Sequence, residues 1–467
     1  MTGSKLTTLV VGAVAFAYYA LLSAKSYTWV FVSYDSGDWL ACANWWMVPQ
    51  PYGSPLYILL CRLVGMFPGS QAVNMTLILS VLPAAISVAL VYAITIKLTD
   101  RRLIAIVASC ALLASVVVLT QATVVEQYSL AVMFLTLALY LRLQGRPKLT
   151  ALALGFGAAV HIIVLLVAVF WLVADYKYWR RNVRAIVIAG ATITVSYSFI
   201  LVLMAMDTPR LLAGGLSVTN VLDYITTTGG AVVGQLSIFE LPRRVWDMFR
   251  ILLVSLGLTI VPIYVGLRGS VPYLKPALLG TVAAAVGYYF ICVDYTTWTF
   301  LAFAAPSLAI IAGVGLSKLH PNHTKVVLAG CICLAVLNGV FMNADVLTRQ
   351  NPVAREYYNT LKGMPAGTTI VVNAGYYSLG LFYALSTGSD LVPIIHPYMD
   401  DWEFEDYRMW LDETYGLGSW QGANTTDLVG LALMRDPDVY FFGNDPELEK
   451  CLEFEEVGNL RKIVGVR

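Results

Sequence analysis

Eleven acidic side chains precede residue 346, and their positions relative to the apolar runs carry the first chemical signal. Nine of them, Asp35, Asp38, Glu126, Asp207, Asp223, Glu240, Asp247, Asp294 and Asp345, fall in segments that the charge pattern assigns to one outer side. Only Asp100 and Asp175 fall on the other. Acids near membrane depth are costly unless paired, solvated or used. Asp35, in FVSYDSGDWLACANWW, stands two residues before a glycine that lets the chain approach a ligand. A carboxylate there can accept the proton of an attacking hydroxyl, the work of a general base. The same Asp35-Ser36-Gly37-Asp38 also reads as a helix N-cap. Glu126, in LTQATVVEQYSLAVMF, lies between two apolar runs and could share an outer cavity with Asp35. Two acids so placed could bind a divalent metal, share a proton or hold an acceptor peptide; a solvated acid capping the next helix is the plainer alternative.

Positive groups are sparser. His161 stands alone in the apolar stretch ALALGFGAAVHIIVLLVAVFWLVA, where a histidine is usually packed, though at the apex of a bent segment it could meet a phosphate. Arg62 and the Arg243-Arg244 pair could bind a lipid phosphate or reach to headgroups. The seven cysteines form no repeated CxxC pair, so no metal site is expected from them; Cys42 and Cys61 share an outer loop and could pair.

The elements that must position these groups follow from composition. Of 467 residues, 58% are apolar and 13% charged, against about 45–50% and about 25% in soluble chains. A soluble enzyme is excluded, and the net charge of +1 gives no global field for nucleic acid. Apolar runs near 6–24, 73–96, 103–121, 129–141, 185–206, 251–267, 276–292, 296–315 and 325–343 are expected to span the membrane. The stretch between Lys148 and Lys177 has basic clusters at both ends. If both ends share a side, it enters and returns as two short half-helices bent near Gly157 and His161, which makes about eleven membrane helices. The loops assigned inside hold 15 Lys and Arg and the outer loops six, so the N-terminus is expected to be cytoplasmic.

Outer loops 25–72 and 207–250 contain PLYILLCRLVGMF and FELPRRVWDMF, which read as interfacial amphipathic helices. Residues 346–467 hold 9 basic and 18 acidic groups, a reversal that sets them apart from the membrane part, 1–345. Their strand-like segments TTIVVNA, LVPII, DVYFFG and RKIVGV alternate with helices expected at 377–386 and 405–415. This pattern predicts a small extracytoplasmic α/β domain.

Four stretches together make the chain resemble a GT-C membrane glycosyltransferase and, more narrowly, the protein O-mannosyltransferase-like family: Asp35-Ser36-Gly37-Asp38; QPYGSPLYILLCRLVGMFPGS with Val73-Asn74; TQATVVEQYSLAVMFLTLALYLRL with Glu126 and Tyr128; and LGFGAAVHIIVLL with His161. The resemblance implies a polytopic α-helical membrane protein. It would transfer a sugar, mannose or another hexose, from a polyprenyl (dolichol-type) phosphate donor to a hydroxyl, with protein Ser/Thr as acceptor. It further implies Asp35 as base and Glu126 in shaping the acceptor or donor site, with His161 and Arg62 toward the donor phosphate. Asp38, Gln50, Tyr52, Gly53 and Tyr128 would shape the pocket. Two departures stand out. Gln50-Pro51-Tyr52-Gly53 replaces the family's His-Pro-Pro-Gly, losing a titratable ring, and Asp38 replaces a longer Glu. A catalytically silent scaffold using the acidic tail is the reading that the Gln50 departure favours. A transporter fits less well, since no repeat relates the two halves and the acids sit near helix ends.

Overall fold

A computed structural model describes residues 2–23, 35–43, 54–205, 241–268, 274–291, 297–349, 364–365, 367–373, 392–396, 429–430, 432–434, 438–442, 446–457 and 460–467. The helix Gln71–Thr99 is apolar on every side and forms the hub; such a helix must be enclosed by others. It packs against the helices Thr2–Leu22, Arg102–Ala114, Tyr128–Leu143 and Ala305–Leu316. Within it, Thr76–Val81 is π-helical. Peripheral helices such as Thr2–Leu22 keep apolar residues exposed, among them Leu6, Leu9 and Val14, as a lipid-facing surface requires.

The stretch around His161 folds into two limbs, Pro147–Val160 and Ile163–Ala174, of 14 and 12 residues. At 1.5 Å per residue these are about 21 and 18 Å long, short of a full crossing. His161 breaks the helix with extended backbone (φ −151°, ψ 129°). A Cβ on Gly157 would stand 2.9 Å from Val164 across the turn, so the close return requires glycine there. Three contacts relate the two limbs to the helices on either side of them. Arg142, at the end of Tyr128–Leu143, forms an ion pair with Asp175, just past the second limb. Gly155 lies against Ala189 and Thr192, and the Tyr197 hydroxyl donates to the Ala158 carbonyl at 3.4 Å. Position rises together along Pro147–Val160 and Val183–Ala205, so the two helices run parallel. The chain has therefore come back to its starting level between them, as the paired basic clusters predict.

Other spans differ from expectation. Among the residues whose side chains the structure describes, four helices are long and apolar enough to cross a membrane, and five if one bent pair counts as a span; shorter apolar helices such as Pro55–Gly65, Tyr128–Leu143 and Ala305–Leu316 have 10–17 residues. The bent pair is Arg102–Ala114 with Val116–Ala122, turned by 64° where one run, 103–121, is expected. Ser115 takes an extended conformation there, and the carbonyls freed near the bend are met from far away. Asn338 donates to Ala114 at 2.6 Å and the Tyr19 hydroxyl to Leu113 at 3.5 Å. In place of a span at 251–267, the helix begins at Leu241 and runs to Leu267 through a 3-10 turn at Gly257 (φ +48°), so LPRRVWDMF continues into the membrane helix. The run 296–315 is split into a 3-10 stretch, Thr297–Phe303, and the helix Ala305–Leu316. Cys42 and Cys61 are both buried and form no disulfide.

In the tail, strands β1 (Thr369–Asn373), β2 (Val392–His396), β3 (Val439–Phe442), β4 (Leu452–Val457) and β5 (Leu460–Val466) form one sheet in the order β2-β1-β3-β5-β4. β1 pairs parallel with β2 and β3, while β5 runs antiparallel to β3 and β4. Arg461 fastens the antiparallel side, 4.8 Å over both Phe441 and Phe454 and 2.8 Å from Glu449. The expected helices at 377–386 and 405–415 lie outside the described residues.

Candidate active site at the Glu126 turn

The bent helix Val116–Ala122 delivers the chain to a turn at 124–127 whose residues are all buried. Three serines from three elements hold that turn. Ser36, the second residue of the helix Asp35–Cys42, donates through Oγ to the Val125 carbonyl at 3.0 Å. Ser80, in the π-helical stretch, accepts from the Glu126 amide at 3.3 Å and donates to its carbonyl at 3.4 Å. Ser54 donates to Gln127 Oε1 at 2.6 Å. Ser54 precedes the helix Pro55–Gly65 and makes no side-chain cap there; its backbone is left-handed (φ 37°, ψ 53°), a strained geometry for a non-glycine residue. The backbone at Asp35 is thus tied, one residue away, to the backbone next to Glu126.

The far end of the short helix is also fixed. Arg62 Nη1 donates to the Ala43 carbonyl at 2.9 Å, a cation set at a helix C-terminus. A Cβ on Gly65 would come within 2.6 Å of Ala43, so this close approach depends on glycine. Within this frame Trp39 and Tyr57 meet edge to face, with ring centroids 4.8 Å apart, and both are completely buried. Burial, reinforced by the fields of Cys61 and Glu126, holds the Tyr57 phenol well above its ordinary pKa. It is therefore an O–H group throughout the working pH range.

Tyr128 starts the helix after the turn, and its ring lies 5.0 Å from that of His161. Phe300 and Phe303, from the 3-10 stretch, complete an aromatic box around both. The Ile163 amide donates to His161 Nδ1 at 3.2 Å, so the proton of the neutral ring sits on Nε2. Next to the box, Tyr288 meets Phe300 edge to face, while the neighbouring Tyr289 exchanges hydrogen bonds with the Arg244 backbone and guanidinium. Arg243 is exposed and lies 3.9 Å from Asp247.

Asp35, Glu126, Tyr128, His161 and Arg62 are thereby joined through short chains of contacts. Arg243 and Arg244 belong to a separate helix at the edge of this group. The side chains of Asp35 and Asp38, and all of Gln50, Tyr52 and Gly53, lie outside the described residues. Among the described residues no three His, Cys, Asp or Glu side chains gather to hold a metal.

Residues 35–184 match the family model described as the protein O-mannosyl-transferase TMEM260 N-terminal domain. The apo crystal structure of ArnT from Cupriavidus metallidurans superposes with a TM-score of 0.58 at 13% identity, over 99% of this chain and 97% of that one. The same protein bound to undecaprenyl phosphate gives 0.51 at 14%, over 96% and 88%. The chain thus shares the GT-C fold of ArnT, and its residues 35–184 are similar to the protein O-mannosyl-transferase N-terminal domain. No curated protein matches the chain in sequence. The family match begins at Asp35 and takes in the GT-C chain's Asp38, Arg62, Glu126, Tyr128 and His161; it ends before Arg243 and Arg244.

Trp39 and Tyr57 were not singled out from the sequence, because aromatic residues in apolar helices read as packing. The three serines were missed for a similar reason. A hydroxyl that holds a turn looks, in sequence, like any small helix residue.

Proposed function

We propose that this protein is a glycosyltransferase that moves a sugar from a polyprenyl-phosphate donor to a hydroxyl of an acceptor, with protein Ser/Thr as the acceptor class and mannose or another hexose as the sugar. The observation that carries the reading is the hydrogen bond from Ser36 to Val125, which sets the start of the Asp35 helix beside the Glu126 turn inside the segment of the family match. ArnT, the structural relative, is bound to undecaprenyl phosphate in one of its crystal structures, which supports a lipid phosphate as the carrier here.

In this reading the acceptor oxygen attacks the anomeric carbon as its bond to the phosphate oxygen breaks, inverting the centre. The acceptor proton passes to the Asp35 carboxylate, and the polyprenyl phosphate leaves with the bonding electrons. Because the leaving group is already anionic, stabilising charge at the phosphate matters more than protonating it. His161 Nε2–H, Arg62, Arg243 and Arg244 are the donors for that task. Glu126 orients the acceptor or the sugar, and Asp38, Gln50, Tyr52, Gly53 and Tyr128 line the approach. A divalent metal could be carried by Asp35 and Glu126 together. The reaction lies at the extracytoplasmic face, with the N-terminus cytoplasmic and the tail an α/β domain, 346–467, on the outer side of an eleven-helix membrane part, 1–345.

The test is transfer of radiolabelled sugar from a panel of polyprenyl-phosphate monosaccharides to membrane proteins, comparing the native chain with Asp35→Asn. Loss of a general base is expected to slow transfer about 10²–10⁴-fold in a variant that stays folded. Unchanged transfer by Asp35→Asn would remove Asp35 from the role. No transfer by a folded native chain with intact donors would remove the enzyme reading.

A further inference from the structure

A groove lies between three helices, toward the end of Ala305–Leu316 that is farther from the aromatic box. Ile260–Leu267 and Ala305–Leu316 touch backbone to backbone, with Gly266 against the Ile311 carbonyl and Gly315 against that of Pro262. The third helix, Lys275–Ile291, packs mainly on Ile163–Ala174 and is tied to it by the Trp171–Thr281 bond. What remains between them is a shallow, open groove of about 280 Å³, lined by Gly266, Leu267, Leu279, Ile311 and Val314. Leu267 and Leu279 are partly exposed, as are Val261 and Tyr264 on the same short helix, and an apolar surface of this kind faces hydrocarbon. A chain seated in the groove regains the dispersion contacts that an empty one forfeits. Cations ring one end of it. Lys275 is the charged residue in the lining, and its Nζ donates to the Leu267 carbonyl at 2.9 Å. Arg268 comes next after Leu267, its guanidinium 4.4 Å over the Tyr264 ring. Lys318 lies two residues past Leu316, and Arg101 donates to the Ser317 carbonyl at 3.3 Å. No acid occurs in 248–293 or in 295–344. Of the two acids that the charge pattern puts on this side, Asp175 is paired with Arg142, and Asp100 adjoins Arg101. Four cations with one acid beside them leave this end of the groove positive.

We propose that this groove holds one acyl chain of a bilayer glycerophospholipid whose anionic headgroup rests among Arg268, Lys275 and Lys318. The lining calls for a hydrocarbon chain and the rim calls for a negative head, and basic pockets between membrane helices take anionic lipids for this reason. The surrounding bilayer is the source, because the groove is open on a hydrocarbon-facing surface and stands apart from the Glu126 turn. The inference is independent of the transferase reading. The bound lipid would join the beginning of Lys275–Ile291 to the two helices beside it, and through Thr281 that helix holds the second limb of the His161 hairpin.

The experiment titrates the delipidated full chain in detergent with phosphatidylglycerol or with phosphatidylcholine of the same acyl chains, and reads bound lipid by native mass spectrometry. A Lys or Arg near the surface is worth about 5-fold in affinity for an anionic lipid. The native chain is therefore expected to bind its first phosphatidylglycerol at least about 5-fold more tightly than its first phosphatidylcholine. Lys275→Gln, which can still donate to Leu267, and Arg268→Gln should each lose about 5-fold for phosphatidylglycerol and little for phosphatidylcholine. Lys275→Arg should keep the preference, and Lys5→Gln, on the helix Thr2–Leu22, should leave it unchanged. Leu279→Trp, which fills the groove and spares every cation, should weaken both lipids. The proposal is overturned by a native chain without preference, by a preference that survives both charge variants or falls equally in Lys5→Gln, or by full binding in Leu279→Trp. Other occupants would overturn it as well. Glycerol phosphate competing as well as the intact lipid would mark a site for a free anion, and displacement by one equivalent of decaprenyl phosphate would assign the groove to the donor lipid. A dimer that Leu279→Trp dissolves would assign it to a second copy of the chain.

Discussion

Asp175→Ala removes the carboxylate paired with Arg142, whose side chain is 3% exposed against 23% for that of Asp175. Breaking a buried pair from one side costs about 3–5 kcal/mol. Two terms reduce this. The guanidinium carbon stands 4.1 Å over Tyr178 and 5.8 Å from Trp171, and such faces are worth about 0.5–2 kcal/mol; the partial exposure of Asp175 also admits water. The expected loss is about 2–3 kcal/mol, roughly a 30- to 160-fold shift in the folding equilibrium. Replacing both partners by apolar residues of similar bulk, Arg142→Met with Asp175→Leu, should recover most of it, because no charge is then left alone. Reversible unfolding by SDS in mixed micelles, with exposed Glu456→Ala as control, measures both. If Asp175→Ala unfolds like that control, or if the double variant is less stable than the single one, the buried-pair argument is wrong. Transfer activity should fall with Asp175→Ala, since the pair fixes the base of the hairpin that carries His161.

Further outcomes follow from other contacts. Asn338→Leu leaves the Ala114 carbonyl unmet at the 64° bend and should cost about 0.6–1.7 kcal/mol in the same micelle assay, with a drop in transfer as the Glu126 turn shifts. A Cβ on Gly315 would lie 1.8 Å from the Pro262 carbonyl oxygen, and one on Gly266 2.1 Å from that of Ile311, so Gly315→Ala or Gly266→Ala must separate two touching backbones. Each should lower the folded yield in membranes far more than Gly190→Ala, where nothing is near. Ser54→Gly removes the bond to Gln127 but relieves a left-handed backbone. It is expected to be close to neutral in stability while lowering kcat, whereas Ser54→Ala, which keeps the strain, lowers both. Equal stability for the two variants would speak against strain at Ser54.

What could be read in advance depended on how local the cause was. The turn-back at His161 was legible because basic residues bracket an apolar stretch too short for two crossings. The break at Ser115 was not, since no proline marks it and its carbonyls are met by Asn338 and Tyr19, 224 and 94 residues away. The start of the membrane helix at Leu241 was hidden because amphipathic and apolar halves join through Gly257 without a stop signal. Four of the five strands showed as β-branched and aromatic runs. β4 was missed because Glu453, Glu455 and Glu456 make LEFEEV look like solvated chain, although Leu452 and Phe454 alternate with them on the inner face. At the site, Asp35, Glu126 and His161 could be singled out by chemistry. The serines that place their backbones and the aromatic pair beside them became visible only once tertiary contacts were known.

The His161 hairpin also bears on how the chain is made. Neither limb can stop in a bilayer by itself, and the second is locked by the Trp171 indole donating to Thr281, a residue synthesised 110 positions later. At ribosomal rates of about 5–20 residues per second that partner emerges roughly 6–22 s after the hairpin. During this interval the first limb can already pack on Tyr128–Leu143 and Val183–Ala205 and Asp175 can pair with Arg142, while the second limb still lacks its Thr281 contact and must be sheltered by the insertion machinery. Substitutions at Thr281 should thus first appear as premature degradation of nascent chains, before any defect in the finished protein.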